Sequence, residues 1–323
     1  MDFIELSVFS KDCGNLTKDI YSRDGEIIKD ASGCRMASGT VKTQSVNDLL
    51  GLKDLLSDLR SNQAIDLGTC GVNNANICLK GHEIEGSFAR IKDNFAFKSK
   101  RTLWLLDYDP EKGKPALSID EVRILLIKIM SAFAGCEMLA LGSTSSGIYR
   151  DNEPIPETLT GGIHFYVIVK DGTKIPELGK LSAARSWLKG FGRYDISKSG
   201  ALLPRVLFDE AVSSPERLIF EAAPILGAGL KQLPRVSKYW AGGDFDPENI
   251  KGLSDSEENR IESLKQATKA EKQPEADVIK GVQTKIEVAR LVSIGVNKSI
   301  ALEQVKNSYN HVLTGAHQLR VSI

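Results

Sequence analysis

The stretch Leu103-Trp104-Leu105-Leu106-Asp107-Tyr108-Asp109-Pro110 decides how this chain is read. An apolar run that ends at proline and continues as Glu111-Lys112-Gly113-Lys114-Pro115 predicts a buried strand stopping at a turn. Side chains two apart on a strand share a face, so Asp107 and Asp109 project together from the rim of a sheet. Two close carboxylates repel one another unless a cation stands between them. Hard oxygen pairs of this kind suit Mg²⁺ or Mn²⁺.

Downstream, Ser118-Ile119-Asp120-Glu121 opens a helix expected to run to about Phe133, with Ser118 as N-cap and Glu121 completing a capping box. Met138-Leu139-Ala140-Leu141 predicts a second strand, ending in the turn Gly142-Ser143-Thr144-Ser145-Ser146-Gly147. Hydroxyls and amides of such a turn can bind phosphate oxygens. Residues 163–169 (IHFYVIV) predict a third strand, with His164 at its start after two glycines that permit close backbone approach. A helix is expected over Lys180–Leu188. A fourth strand is expected over Arg205-Val206-Leu207-Phe208-Asp209, again ending in an aspartate.

Upstream, the stretch to about Arg35 predicts strands and turns. Leucines at helical spacing over residues 46–62 predict a helix capped by Asn47 or Asp48, and residues 64–76 a strand and loop. Mixed strands and helices with short gaps indicate an α/β or α+β domain with an antiparallel component. Beyond Leu233 the texture changes. Residues 253–277, rich in Glu, Lys, Ser and Gln, form either an exposed helix or a linker. Two short helices, Ile279–Ile294 and Ser299–Val312, hinge at Gly295-Val296-Asn297. The expected division is 1–235 for the main domain, 236–277 for the connecting segment and 278–323 for a helical appendage.

The 323 residues carry 42 basic and 42 acidic side chains and are 41% hydrophobic, the composition of a globular protein. A net charge of zero means that any nucleic-acid surface is a local basic patch. No apolar stretch approaches the roughly 20 residues needed to cross a bilayer, and Met1–Glu5 lacks the features of a signal peptide. Five cysteines without a CxxC pair argue against a zinc ribbon or a disulfide framework and for reduced thiols. The expectation is therefore a cytoplasmic protein with no membrane partner. The ending Val321-Ser322-Ile323 shows no terminal structure, as expected of a piece of a longer protein.

Asp209 would join Asp107 and Asp109 in a three-carboxylate cluster able to hold two divalent ions, which lower the pKa of an attacking 3′-hydroxyl and stabilise leaving pyrophosphate. Arg205 and Arg217 flank Asp209, and their rigid forks of donors suit triphosphate or template phosphates.

The order of these motifs resembles the archaeo-eukaryotic primase superfamily, with its hhhDxD strand, (S/G)xH strand and hD strand. Here they read Leu105-Leu106-Asp107-Tyr108-Asp109, Gly162-Ile163-His164 and Leu207-Phe208-Asp209. The wording from Ser145-Ser146-Gly147 to His164, and from Asp209 through Ser214-Pro215-Glu216-Arg217-Leu218, is similar to primase-polymerases of phages, plasmids and integrated elements. So are Leu16-Thr17-Lys18 and Ala31-Ser32-Gly33-Cys34-Arg35-Met36, and the resemblance covers roughly residues 10–230.

It implies an α+β catalytic core with a mixed or antiparallel RRM-like sheet and flanking helices, followed by a small helical region. The activity implied is a DNA primase or polymerase with Asp107, Asp109 and Asp209 as catalytic metal ligands. Ser145, Ser146, His164, Arg205 and Arg217 would bind the nucleoside triphosphate, and Lys18, Arg35, Lys112 and Lys114 a single-stranded DNA template. A helicase, fused or separate, is a further implied partner.

The chain departs from the pattern at Gly162, where a serine is common, and Ser145 and Ser146 are the candidates to supply that hydroxyl. A long loop, Tyr149–Thr160, precedes the His strand. Competing readings are a haloacid-dehalogenase-like phosphatase using Asp107, Ser143 and the acidic stretch Gly243-Asp244-Phe245-Asp246, and a non-catalytic single-strand-binding initiator of the primase fold. A polymerase-β-like transferase is disfavoured because its Gly-Ser would precede the DxD.

Overall fold

The structure, a computed structural model, describes residues 3–111, 113–156 and 161–314. The chain is mixed α+β and divides into two compact units, one reaching Lys189 and resuming over Leu207–Ser254, the other formed by Gly190–Val206 and the chain from Asp255.

The first unit begins with β1 (Ile4–Lys11), β2 (Asp19–Arg23), β3 (Glu26–Asp30), β4 (Gly39–Val46), α1 (Leu49–Ser57), β5 (Gln63–Asp66), β6 (Asn74–Cys78) and β7 (Ser87–Ala89). It continues with β8 (Thr102–Tyr108), α2 (Ile119–Ile129), β9 (Met138–Gly142), β10 (Ile148–Arg150), β11 (Ile163–Val169) and α3 (Ile175–Leu188). After the hairpin β12 (Arg193–Ile196) and β13 (Leu202–Arg205) of the second unit come β14 (Ile225–Leu226), β15 (Leu230–Gln232) and β16 (Ser237–Trp240).

A five-stranded sheet in the order β5-β1-β4-β6-β7 packs around Phe9, Val41, Ala64, Ile77 and Phe95. The sheet that matters for the site is four-stranded and antiparallel, in the order β16-β9-β11-β8. Every residue of β11 is buried, so both faces of this sheet are covered. On one face Trp104 meets Phe133 and Phe245 with ring centroids 5.6 Å away. Such aromatic contacts add about 0.5–1.5 kcal/mol each beyond the area they bury.

Local chemistry accounts for several boundaries. Asp48 caps α1 by accepting the Gly51 N–H, and Ser118 with Glu121 forms the reciprocal capping box of α2. Helix α3 starts five residues before the expected Lys180, because Pro176 is well suited to a first helical turn.

Three expectations are corrected. The strand expected over Arg205–Asp209 does not form: β13 ends at Arg205, and Asp209 turns the chain into a short 3₁₀ helix by accepting the Ala211 N–H. The loop expected over Tyr149–Thr160 opens with β10, paired to β15; residues 157–160 lie outside the described ones. The boundary expected at 235 also moves. Strand β16 extends the central sheet along β9, Trp240 stacks on Phe165, and Phe245 is fully buried, so this unit runs to Ser254.

In the second unit the charged part of the expected connecting segment, from Asp255, and the first short helix are one helix, α4 (Asp255–Ser293), followed by α5 (Lys298–Thr314). Acidic residues Asp255, Glu257 and Glu258 favour the N-terminal end of α4. Gly295, at φ +93, supplies the left-handed residue that ends it, and Val288, Ala301 and Val305 form the contact between α4 and α5.

No helix among the described residues is long and apolar enough to cross a membrane. All five cysteines are free.

Candidate functional site

Antiparallel register places Asp107 of β8 directly opposite His164 of β11. Facing residues of neighbouring strands share a side of the sheet, and His164 Nε2 lies 3.4 Å from Asp107 Oδ1. Asp109, one residue past the strand end, is exposed. Asp209 reaches the same place by another route: its N–H donates to the Asp107 carbonyl at 2.9 Å. Three aspartates spread over a hundred residues of chain are thus gathered at one end of the central sheet.

The Ser/Gly turn closes over the same end. Ser143 N–H donates to the Gly162 carbonyl, and Ser146 Oγ donates back to the Ser143 carbonyl at 2.6 Å. Gly161, at φ +132, lies so close that an added Cβ would stand 2.8 Å from Ser146 Cβ. A Cβ on Gly162 would come within 3.0 Å of Asp109 Oδ1 and 3.3 Å of Ser143 Oγ. The Tyr108 carbonyl oxygen would stand closer still, at 2.9 Å, so this position has room only for glycine. Ser143 Oγ is the turn hydroxyl nearest that position, while Ser146 Oγ donates within the turn and Ser145 Oγ accepts from Lys29 Nζ at 3.4 Å.

Behind the rim lies a buried polar network. His164 Nδ1 is 2.5 Å from Glu221 Oε1, and the Tyr166 hydroxyl donates to the same oxygen. Arg235 donates to Glu221 Oε2 at 2.5 Å and to the Gly142 carbonyl at 2.7 Å. Burial alone would raise the pKa of Glu221, but the charge and hydrogen bond of His164, then Arg235 and Tyr166, outweigh it and hold it at about 2. Burial would lower His164, yet Glu221 and then Asp107 lift it to about 9. Asp107 rises to about 6, mainly through burial, with Asp109 and Asp209 adding repulsion and His164 opposing it. His164 is therefore an imidazolium at neutral pH, held between two carboxylates.

Lys18 and Lys29 supply positive charge. Lys18 acts electrostatically on Asp107, and Lys29 is lowered by desolvation and then by Lys18 while Asp109 raises it. Ser143 was named only within the 142–147 turn and in the phosphatase reading, whereas Lys29, Glu221 and Arg235 were missed by sequence reasoning as parts of the site. No periodicity or spacing marks them, since their partners lie far away in sequence.

Of the other expected site residues, Arg205 and Lys114 are paired with acidic residues outside the site. Arg205 belongs to the second unit, where it pairs with Asp195 at 3.4 Å. Arg217 is exposed, and its charge acts on Arg90, itself under the influence of Asp66 and Glu216. Arg35 is exposed, Lys114 pairs with Glu111 at 2.9 Å, and Lys112 lies outside the described residues. The acidic stretch of the phosphatase reading sits at the other end of the central sheet. Asp244 pairs with Arg101, just before β8, and Asp246 with Lys170, just after β11, so neither joins Asp107.

The expected three-carboxylate cluster of Asp107, Asp109 and Asp209 is not ready-made: among the described residues no three His, Cys, Asp or Glu side chains stand close enough to hold a metal ion. Asp107 and Asp109 nevertheless leave carboxylate oxygens of the kind a hard cation takes. Asp107 Oδ1 is buried without a hydrogen-bond donor, the neighbouring carboxylates repel it, and Asp109 is open to solvent. Mg²⁺ is commonly held by one or two carboxylates together with substrate phosphates.

Comparison with protein-family models, curated proteins and solved structures finds no match to this chain.

Proposed function

We propose that this protein is a template-directed nucleotidyltransferase, a DNA primase, DNA polymerase or both, with a core of the archaeo-eukaryotic primase type. The observation that carries the reading is convergence. Asp107, Asp109 and Asp209, the 143–147 turn and the His164 imidazolium meet at one end of an antiparallel sheet, as the motif order requires.

In this reading Asp107 and Asp109 hold Mg²⁺ or Mn²⁺, with Asp209 beside them. The ions supply Lewis acidity for the 3′-hydroxyl and for the leaving pyrophosphate. His164, Ser143 and Lys29 face the triphosphate. A fixed imidazolium stabilises charge as it develops on the leaving group without reorganising at the moment of reaction. Lys18 lies where an incoming strand adds phosphates to the same field. A single-stranded DNA template, a replication role in a mobile element or phage and an association with a helicase belong to the same proposal.

The test is nucleotide incorporation on a single-stranded template with Mg²⁺ and with Mn²⁺, using phosphate release from a generic phosphomonoester as control. Incorporation by the native chain and its loss by several orders of magnitude in Asp107→Ala are expected. Salt-sensitive strand binding without incorporation would instead assign the protein to non-catalytic initiation.

A further inference from the structure

One short segment, Ile219–Ala222, touches the Ser/Gly turn, His164 and the residue before Lys18. Ile219 exchanges backbone hydrogen bonds with Ile65, fixing the segment to the end of β5. The Phe220 carbonyl accepts the Thr144 hydroxyl at 3.2 Å, inside the Ser/Gly turn. The Ala222 carbonyl accepts the Thr17 hydroxyl at 2.9 Å, next to Lys18. Between them Glu221, its side chain fully buried, carries the network described above.

The Glu221 carboxylate divides its two oxygens. Oε1 takes His164 and Tyr166, both on β11, while Oε2 takes Arg235, which also grips the last residue of β9 through the Gly142 carbonyl. Gln232, three residues before Arg235, donates to the Thr144 and Ser146 carbonyls and so clamps the turn itself. A carboxylate behind a histidine selects the ring orientation and the nitrogen that faces outward. Here the outward nitrogen is Nε2, on the side of Asp107.

We propose that Glu221 is the positioning residue of this site, setting the His164 ring directly and the phosphate-facing turn through Arg235. The proposal rests on the nucleotide reading above for its kinetic consequence, though not for its geometry. Glu221 itself has no path to substrate. Its effect passes through His164 and Gly142, and it must vanish when those links are cut.

Two measurements on the full chain separate positioning from bulk stability. In ¹⁵N-histidine-labelled native protein, the resonance that disappears in His164→Ala is expected to show a strongly downfield Nδ1-bound proton, and Glu221→Gln should remove that signature. In steady-state incorporation, Glu221→Gln should lower kcat/KM for the nucleotide about 10- to 100-fold, by analogy with the loss seen for carboxylates behind metal-ligating histidines. Added to His164→Ala, Glu221→Gln should cost less than it costs the native chain, keeping only the several-fold part that passes through Arg235. Multiplicative losses, native kcat/KM in Glu221→Gln or an unchanged imidazole signature in it would each overturn the proposal.

Should Glu221→Gln fail to fold, Arg235→Lys keeps a cation on the carboxylate and loses the fork to Gly142. It should lower kcat/KM several-fold with the His164 signature intact, and native kinetics there would break the link to the turn. If the native protein incorporates no nucleotide with either metal, the functional reading falls. The imidazole signature still decides whether Glu221 sets His164.

Discussion

Asp107→Asn removes one charge from the rim of the central sheet while keeping the shape of the side chain. In the fold Asp107 is raised from its ordinary 3.8 to about 6, first by burial and then by Asp109 and Asp209. At about 1.4 kcal/mol per pH unit, ionised Asp107 costs the folded protein at most about 3 kcal/mol at pH 7. The sign follows from linkage: a carboxyl raised on folding carries no penalty below its unfolded pKa, and stability is lost as pH rises through the folded value.

Asp107→Asn should therefore be more stable than the native chain at neutral pH and should lose that advantage below about pH 4. For a unit of this size the ceiling corresponds to a rise of roughly 6–12 °C in Tm. Urea unfolding at neutral and acid pH, without divalent ions, measures the difference. Adding Mn²⁺ should raise the midpoint of the native chain and leave the variant unmoved, while incorporation disappears in the variant. An Asp107→Asn protein equally or less stable at pH 7 would refute the reasoning.

Three further outcomes are expected. The Glu221–His164 pair should stabilise the fold most between the unfolded values of 4.5 and 6.5: Glu221, depressed to about 2, loses its contribution as pH falls below that window, and His164, raised to about 9, loses its own as pH climbs through that value. Urea midpoints across pH should show an alkaline decline that flattens in Glu221→Gln. Lys18→Ala with Arg35→Ala should weaken binding of single-stranded DNA and reduce the salt slope by up to about 1 for each phosphate no longer neutralised, read by fluorescence anisotropy against salt. Gly161→Ala, at φ +132 and with its Cβ 2.8 Å from Ser146 Cβ, should destabilise by about 1–3 kcal/mol and raise the apparent KM for nucleotide, and unchanged values of both would show that the turn tolerates displacement.

What the amino-acid order determined by itself is local. The apolar run before Asp107 specified β8, the seven apolar-rich residues from Ile163 specified β11, and Ser118 with Glu121 specified the start of α2, because caps and side-chain alternation act between residues a few positions apart. The DxD pair and His164 were legible for the same reason. Tertiary structure alone decided what stands behind and around them. Glu221 meets His164 from 57 residues away, and Lys29 meets Ser145 from 116. Only strand register and the burial of the network select those pairs. The fate of residues 205–209 was also a tertiary matter. Asp209 bonds Asp107 through its backbone and turns the chain where propensity favoured a strand, and Arg205 is held in the other unit by Asp195. Ionisation at the site follows the same division: the sequence names the titrating groups, but burial and neighbouring charge, properties of the packed chain, make His164 a cation and crowd Asp107.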